Sequence, residues 1–236
     1  MRRIREVVLL AALMLSGLVW ALRLSIMEPA SAETIAIHKV IAPVGALDDR
    51  SGVALWHDYG AFALYQVSDL ALAGLMVDGL ANYMMVDEMD RILIDAYPFD
   101  TQREQLKLPQ GLAVKTAAGP ALHLIQFVGP IKDVWLAQIE AAGVVPIHYV
   151  ANNGYLVWAD DNGRAHLQNL VQAGDFLQYS APYQPYFKLG KAVADRVTTA
   201  SSIDEIVPVV IQMLRHPGQE KTEALLKKWL VAVDSD

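Results

Sequence analysis

Leu122-His123-Leu124-Ile125-Gln126-Phe127-Val128, followed by Gly129-Pro130, is the stretch on which the fold turns. Its β-favouring apolar side chains predict a strand over 122–128. Pro130 then opens a predicted helix through Ala141, with Val134, Trp135, Ile139 and neighbouring alanines on one face at the 3.6-residue period. Gly143 stands where a left-handed helix cap is needed. Working outward, Val144 to Val150 and Tyr155 to Ala159 predict two strands joined by Ala151-Asn152-Asn153-Gly154, a turn whose Asn and Gly tolerate positive φ. A second helix is predicted from about Gly163 to Ala173, stopped by Gly174, and Phe176 to Ala181 supplies the last strand.

The order β-α-β-β-α-β predicts an α+β fold of the ferredoxin-like, split βαβ kind, with two helices on one face of a four-stranded antiparallel sheet. Residues 34–97 repeat the second half of this pattern. His57-Asp58-Tyr59-Gly60 followed by Ala61-Phe62-Ala63-Leu64 matches in kind the Asn-Asn-Gly turn and its following strand. After it come a Leu/Ala-rich helix, Leu70 to Leu80, and a short strand, Tyr83 to Val86. A third start has Ile206 to Leu214 as a strand, Pro217-Gly218 as a turn and Glu220 to Leu230 as an amphipathic helix. A lone β-α pair leaves a sheet edge open, so either this pair docks on the preceding unit or, the preferred expectation, the chain continues past Asp236. The predicted organisation is therefore a signal peptide over 1–32, a divergent α+β unit over 33–118 and a ferredoxin-like unit over 119–190. A linker rich in Ala, Ser and Thr over 191–204 and a partial third unit over 205–236 follow.

The export signal is read from Arg2, Arg3 and Arg5, the uncharged run Val7 to Leu22, and Ala30-Ser31-Ala32, whose Ala30 and Ala32 match the small residues of a cleavage site. The competing reading is an uncleaved anchor, but the run is shorter than the ~20 residues a spanning helix needs. Cleavage after Ala32 removes Arg2, Arg3, Arg5 and Arg23 with Glu6 and Glu28, and takes the net charge from −7 to −9. The expected location is secreted or extracytoplasmic, in the cell envelope, with no membrane span left after cleavage.

With 54% hydrophobic residues in 236, the chain has enough apolar material for one large or two small cores. A net charge of −7 without clustered Lys and Arg argues against nucleic acid. The absence of cysteine excludes disulfides, thiolate metal sites and a Cys nucleophile.

Chemistry-bearing motifs are sparse. There is no Gly-x-Ser-x-Gly elbow, and the serines after residue 32 fall in turns, a linker, a strand end or the tail. The six histidines show no His-x-x-x-His or His-Glu-x-x-His spacing. His123 and His148 fall on strands that look adjacent, but a third ligand is not evident. Asp87, Glu88 and Asp90 beside Arg91, and Asp160-Asp161-Asn162-Gly163, lack the alternating ligands of a calcium loop and read as turn chemistry. No catalytic residue, metal ligand or cofactor is therefore expected, and the chain reads as non-enzymatic by itself. A binding role falls to an aromatic segment, with Tyr183, Tyr186, Phe187, Lys188 and Leu189 as candidate partner-binding residues. An extended Pro/Tyr segment suits a partner's groove or sheet edge, and it equally suits a strap over its own domain.

The stretch Leu122 to Ile131, with Trp135, Ala141 to Val144, Asn152 to Val157 and Tyr183 to Leu189, resembles the region ahead of the catalytic domain in bacterial secreted subtilisin-like serine proteases. Asp58-Tyr59-Gly60 and Asp90-Arg91-Ile92 are similar to the preceding part of that region. The resemblance implies a propeptide-like module that assists folding of a subtilisin-like protease domain and inhibits it. Nothing here matches the catalytic Asp, His-Gly-Thr or Gly-Thr-Ser blocks, so the resemblance carries no active-site residue over and implies either a precursor fragment or a free-standing propeptide-like protein. The expected partner is such a protease domain, in cis or in trans, docked on the sheet face. The rival reading is an envelope-associated structural or adhesion module built of repeated α+β units.

Overall fold

A computed structural model describes residues 36–78, 82–95, 97–114, 119–199 and 208–229. In its first half, β1 (Ile37–Ala42), β2 (Val53–Asp58), β3 (Ala63–Ser68), α1 (Asp69–Val77) and β4 (Met84–Met85) build one four-stranded antiparallel sheet in the order β2-β3-β1-β4. A 3₁₀ turn, Asp87–Asp90, leads into a small ribbon of β5 (Arg91–Ile92) and β6 (Phe99–Asp100). The second half holds β7 (Ala121–Phe127), α2 (Asp133–Ala141), β8 (Val145–Val150), β9 (Gly154–Ala159), α3 (Asp161–Ala173) and β10 (Leu177–Pro182). These strands form a second antiparallel sheet in the order β10-β7-β9-β8. The protein is thus a mixed α+β fold with antiparallel sheets, and the element order anticipated for 121–182 is the one observed.

The two sheets share one ladder. Counting each sheet's own strands, both read second, third, first, fourth. Each hairpin also carries a register shift one residue before a histidine, between Leu55 and His57 in β2 and between Pro146 and His148 in β8. His57 then pairs with Leu64 and His148 with Leu156, and these leucines pair in turn with Ile41 and Leu124 of the two first strands. The halves differ between first and second strands. The second half places α2 there, while the first has residues 43–52, a turn-rich loop whose Leu47 is fully buried. Tyr65 pins that loop by donating its hydroxyl to Asp48 (2.9 Å) and accepting from the Gly45 amide (3.0 Å).

Local chemistry explains the helix limits. The Ser68 and Asp160 side chains cap α1 and α3 by accepting from the amides of Ala71 and Gly163. Gly174 ends α3 in the left-handed conformation at φ +67°. The helix after β7 begins at Asp133, not at Pro130, and its Val134 faces solvent while Trp135 and Ile139 are buried.

Three apolar clusters fill the layers. One packs Leu72 and Leu75 of α1 and Leu47 on Val40, Ala42, Tyr65 and Val67. A second joins the helical face of the later sheet, Ile125, Phe127 and Val157, to Trp135, Ile139 and Leu167, and it also takes in Leu64, Ile41 and Trp56 of the earlier sheet. A third covers the opposite face of the later sheet, where Ile92, Ile94, Phe99 and Phe187 lie on Leu124.

The C-terminal expectations need correction. Residues read as a linker, Lys191 to Asp204, contain a helix, α4 (Lys191–Thr199), and the buried Ala194 ties it to the fold. The strand expected over 206–214 is absent from 208–214, where Val209, Val210 and Ile211 are exposed and unpaired with any sheet. The following helix is present as α5 (Gln219–Trp229). The segment read as an export signal, including Ala30 and Ala32, lies outside the described residues.

Candidate functional site

The aromatic segment after β10 is folded back on its own sheet. Pro185–Lys188 form a 3₁₀ turn that buries Phe187, stacked on Phe99 at 5.8 Å between ring centroids. Tyr186 meets Tyr97 at 4.3 Å, and Tyr183 packs on Phe187 at 5.9 Å while its hydroxyl donates to the Phe187 carbonyl. Gln184 fastens the segment to Val114 by accepting from its amide (2.8 Å). Lys188 is exposed, its ammonium 6.0 Å over the Tyr183 ring, and the Leu189 amide closes the turn on Tyr186. Of the two readings left open by the sequence, the strap is the conformation observed.

Both outer sheet faces are partly covered from within, with Ile37, Met84 and Val145 left exposed at their margins. The Phe187 cluster covers one end of the later sheet, and at the other end His216 lies over Trp158 at 4.6 Å with Gly218 against the same indole. The corresponding face of the earlier sheet, with Ile41 and Leu64, packs on Val128, Trp135 and Phe176. A docking mode through a bare sheet face does not fit this arrangement, because apolar area already removed from water gains nothing from a partner.

Where the halves meet, a buried polar junction lies beside the apolar packing. Lys39 of β1 is 5% exposed, and its ammonium pairs with Asp90 (2.5 Å) while donating to the Val128 carbonyl (2.7 Å) and Gln178 (2.5 Å). Gln178 donates to Gln126, which also accepts from Thr101 and donates to the carbonyls of Met89 and Asn152. Asn152 reaches back to the carbonyls of Glu88 and Arg91. Burial pulls the Lys39 pKa down against the raising effect of Asp90. A charge so enclosed registers one half against the other, since sliding either would strand it without partners. Asp90 of the acidic cluster 87–90, read as turn chemistry, is thus the buried counter-charge of Lys39, while the contacts of that ammonium with Val128 and Gln178 reach the later half.

A second polar cluster sits at the start of β1. His38 bonds Asp87 through Nδ1 (2.6 Å) and Asp69 through Nε2 (2.7 Å), and its pKa is raised by the hydrogen bonds to Asp69 and Asp87.

The histidines expected to approach one another do not. β9 lies between β7 and β8, so Leu156 separates His148 from the strand that carries His123. His123 is buried, and burial, with the nearby Arg164 charge, lowers its pKa to about 4. Its Nε2 meets the Ser180 hydroxyl at 3.0 Å, but Nδ1 has no hydrogen-bond partner. A carboxylate on that nitrogen is what would orient such a pair for nucleophilic attack.

Asp160 is a helix cap, and among the described residues no group of His, Asp or Glu is arranged to hold a metal. A shallow concavity of about 350 Å³ lies beside α1 between Arg50, Gly52, Ser68 and Leu70, and its one charged side chain, Arg50, is paired with Asp78. No helix among the described residues is long and apolar enough to cross a membrane.

Sequence reasoning missed His38, Lys39, Gln126 and Gln178. One signal was present: the adjacent His38-Lys39 interrupt an otherwise apolar strand, which demands buried partners.

Residues 92–184 match the family model described as a domain of unknown function, DUF8729. The match takes in the later sheet with its two helices and also the segment carrying Ile92, Ile94 and Phe99 that closes its outer face. No curated protein matches the chain, and no solved structure does.

Proposed function

We propose that the chain is an exported, propeptide-like module that docks on a subtilisin-like protease domain, assists its folding and inhibits it. Both halves are read as ferredoxin-like modules in tandem, the first having exchanged one helix for the loop 43–52. The observation that carries the reading is the ladder of the later sheet, a β-α-β-β-α-β unit in the strand order β10-β7-β9-β8, built from the residues that resemble the protease propeptide region. Support also comes from what the described surface offers: shallow concavities without converging ionisable groups, and apolar side chains exposed on helices.

With the centres of the sheet faces covered, docking falls to the outer face of α1. Leu70, Met76 and Val77 are 84%, 62% and 86% exposed there, on a helix whose other face is already packed. A helix apolar on both faces is expected to be covered on both. The occupant is the folded protease domain.

The test adds the chain from residue 33 onward to a subtilisin-like protease and follows both peptide hydrolysis and recovery of activity from denaturant. Inhibition together with faster refolding is expected, and Leu70→Lys with Val77→Lys weakens both. Neither effect at any ratio of chain to protease overturns the reading.

A further inference from the structure

The imidazole of His38 is held between two carboxylates. Its Nδ1 lies 2.6 Å from Asp87 Oδ2 and its Nε2 lies 2.7 Å from Asp69 Oδ1. An ionised carboxylate only accepts hydrogen bonds, whereas a neutral imidazole carries one N–H and one bare lone pair. Both contacts are therefore satisfied together only by the imidazolium. Loss of its proton sets a lone pair against a carboxylate oxygen, and one contact turns from attractive to repulsive.

What these carboxylates hold extends beyond the ring. Asp69 is the first residue of α1, and its other oxygen accepts from the Ala36 amide (3.2 Å), fixing the backbone that leads into β1. Asp87 opens the 3₁₀ turn, and its other oxygen accepts from the Lys39 amide (2.7 Å). The same turn carries Asp90, the buried partner of the Lys39 ammonium. From the segment after β6, Arg103 approaches Asp87 at 3.8 Å. The charged groups facing the imidazole are thus Asp69 from α1 and Asp87 from the 3₁₀ turn, with Arg103 behind Asp87. The Lys39 side chain turns away to the buried junction. Two anions outweigh one more distant cation, in keeping with the raised His38 pKa.

We propose that His38 is a pH-released clasp: protonated, it ties the leading end of β1 to α1 and to the 3₁₀ turn that serves the buried junction, and on losing its proton it lets that corner open. The opening is local. The later sheet, whose strands do not contact the clasp carboxylates, keeps its ladder, so the first half loosens against it as pH rises through the folded His38 value. This behaviour does not depend on a protease partner and concerns the chain by itself.

The experiment is an NMR titration of the full chain from about pH 5 to 9, reading the His38 ring and the backbone amides of Ala36, Lys39 and Asp69. His38 is expected to titrate above 6.5, the ordinary histidine value, and those three amides to shift with the same midpoint while amides of β7 and β9 stay still. In His38→Gln the shared step disappears. Asp69→Asn, a change at an exposed side chain, keeps the fold and moves the His38 midpoint downward, which tests the clasp even if His38→Gln does not fold. A His38 midpoint at or below 6.5, an unchanged midpoint in Asp69→Asn, or an amide step that survives in His38→Gln overturns the proposal.

Discussion

The later sheet carries two helices between its strands and the earlier sheet carries one, although both ladders run in the same order with a register shift at the same place. Trp135 and Ile139 of the extra helix, with Leu167 of α3, fill the helical face of the later sheet in a core that also takes in Leu64 and Val86 of the first half. The earlier sheet has Leu47 from a loop where that helix would be, and its other face is finished by Val128, Trp135 and Phe176 of its neighbour. Sharing a ladder therefore does not mean sharing self-sufficiency. The half with the fuller helix complement serves as the platform, and the other is completed by docking on it.

The junction offers the hardest test of that dependence. Lys39→Met leaves Asp90 buried without its cation and is expected to cost about 3–5 kcal/mol in denaturant unfolding. Adding Asp90→Leu should recover part of the loss, because a matched apolar pair is tolerated where a lone charge is not. If Lys39→Met proves silent, the halves are not locked by the Lys39 ammonium and its bonds to Val128 and Gln178. Within the later half, Phe187→Ala removes the centre of the strap and should cost about 3 kcal/mol, whereas an effect near zero would place the segment in solution off the sheet.

The two halves also answer pH in opposite directions. His123, in the later sheet, has a folded pKa lowered to about 4 from 6.5. The neutral ring is the one that fits, so its contribution is fully present above about 6.5 and is lost as pH falls toward 4, on the order of 3 kcal/mol. His38, in the earlier sheet, has a raised folded pKa, so its contribution is present below 6.5 and is lost as pH rises through the folded value. Thermal melts of His123→Leu across pH 4–7 should be flatter than those of the parent chain, and an equal slope in both would remove His123 from the acid limb.

Smaller in effect is Gly129→Ala. An added Cβ would stand 2.8 Å from Leu64 Cδ2 at the seam between the halves, and the expected cost is about 1–3 kcal/mol. A melt unchanged by this substitution would show that the seam is looser than the contact implies.

Much of the later half was legible because its signals are local: an apolar run from Leu122, an Asn-Asn-Gly turn, and Gly174 at the end of α3, whereas Asp160, read as turn chemistry, proved to cap the start of that helix. Strand order is not local, which is why the strands carrying His123 and His148 look adjacent in sequence although β9 intervenes. The run Val209-Val210-Ile211 has strand character in sequence, but a strand exists only where another strand pairs with it, and among the described residues none does. The tyrosines of the strap illustrate the same limit, since aromatic side chains suited to a partner's groove are equally suited to Phe99 and Tyr97 of the same chain. The junction was the least visible feature, because Lys39, Asp90, Gln126 and Gln178 are far apart in sequence, and the polar residues within the apolar strands do not name their partners.

Native-state hydrogen exchange of the full chain carrying Gly129→Ala tests the dependence of one half on the other most directly. Amides of β1 and β3 should lose protection while those of β7 and β9 keep theirs. Equal loss in both sheets, or loss confined to β7 and β9, would contradict a first half completed by the second.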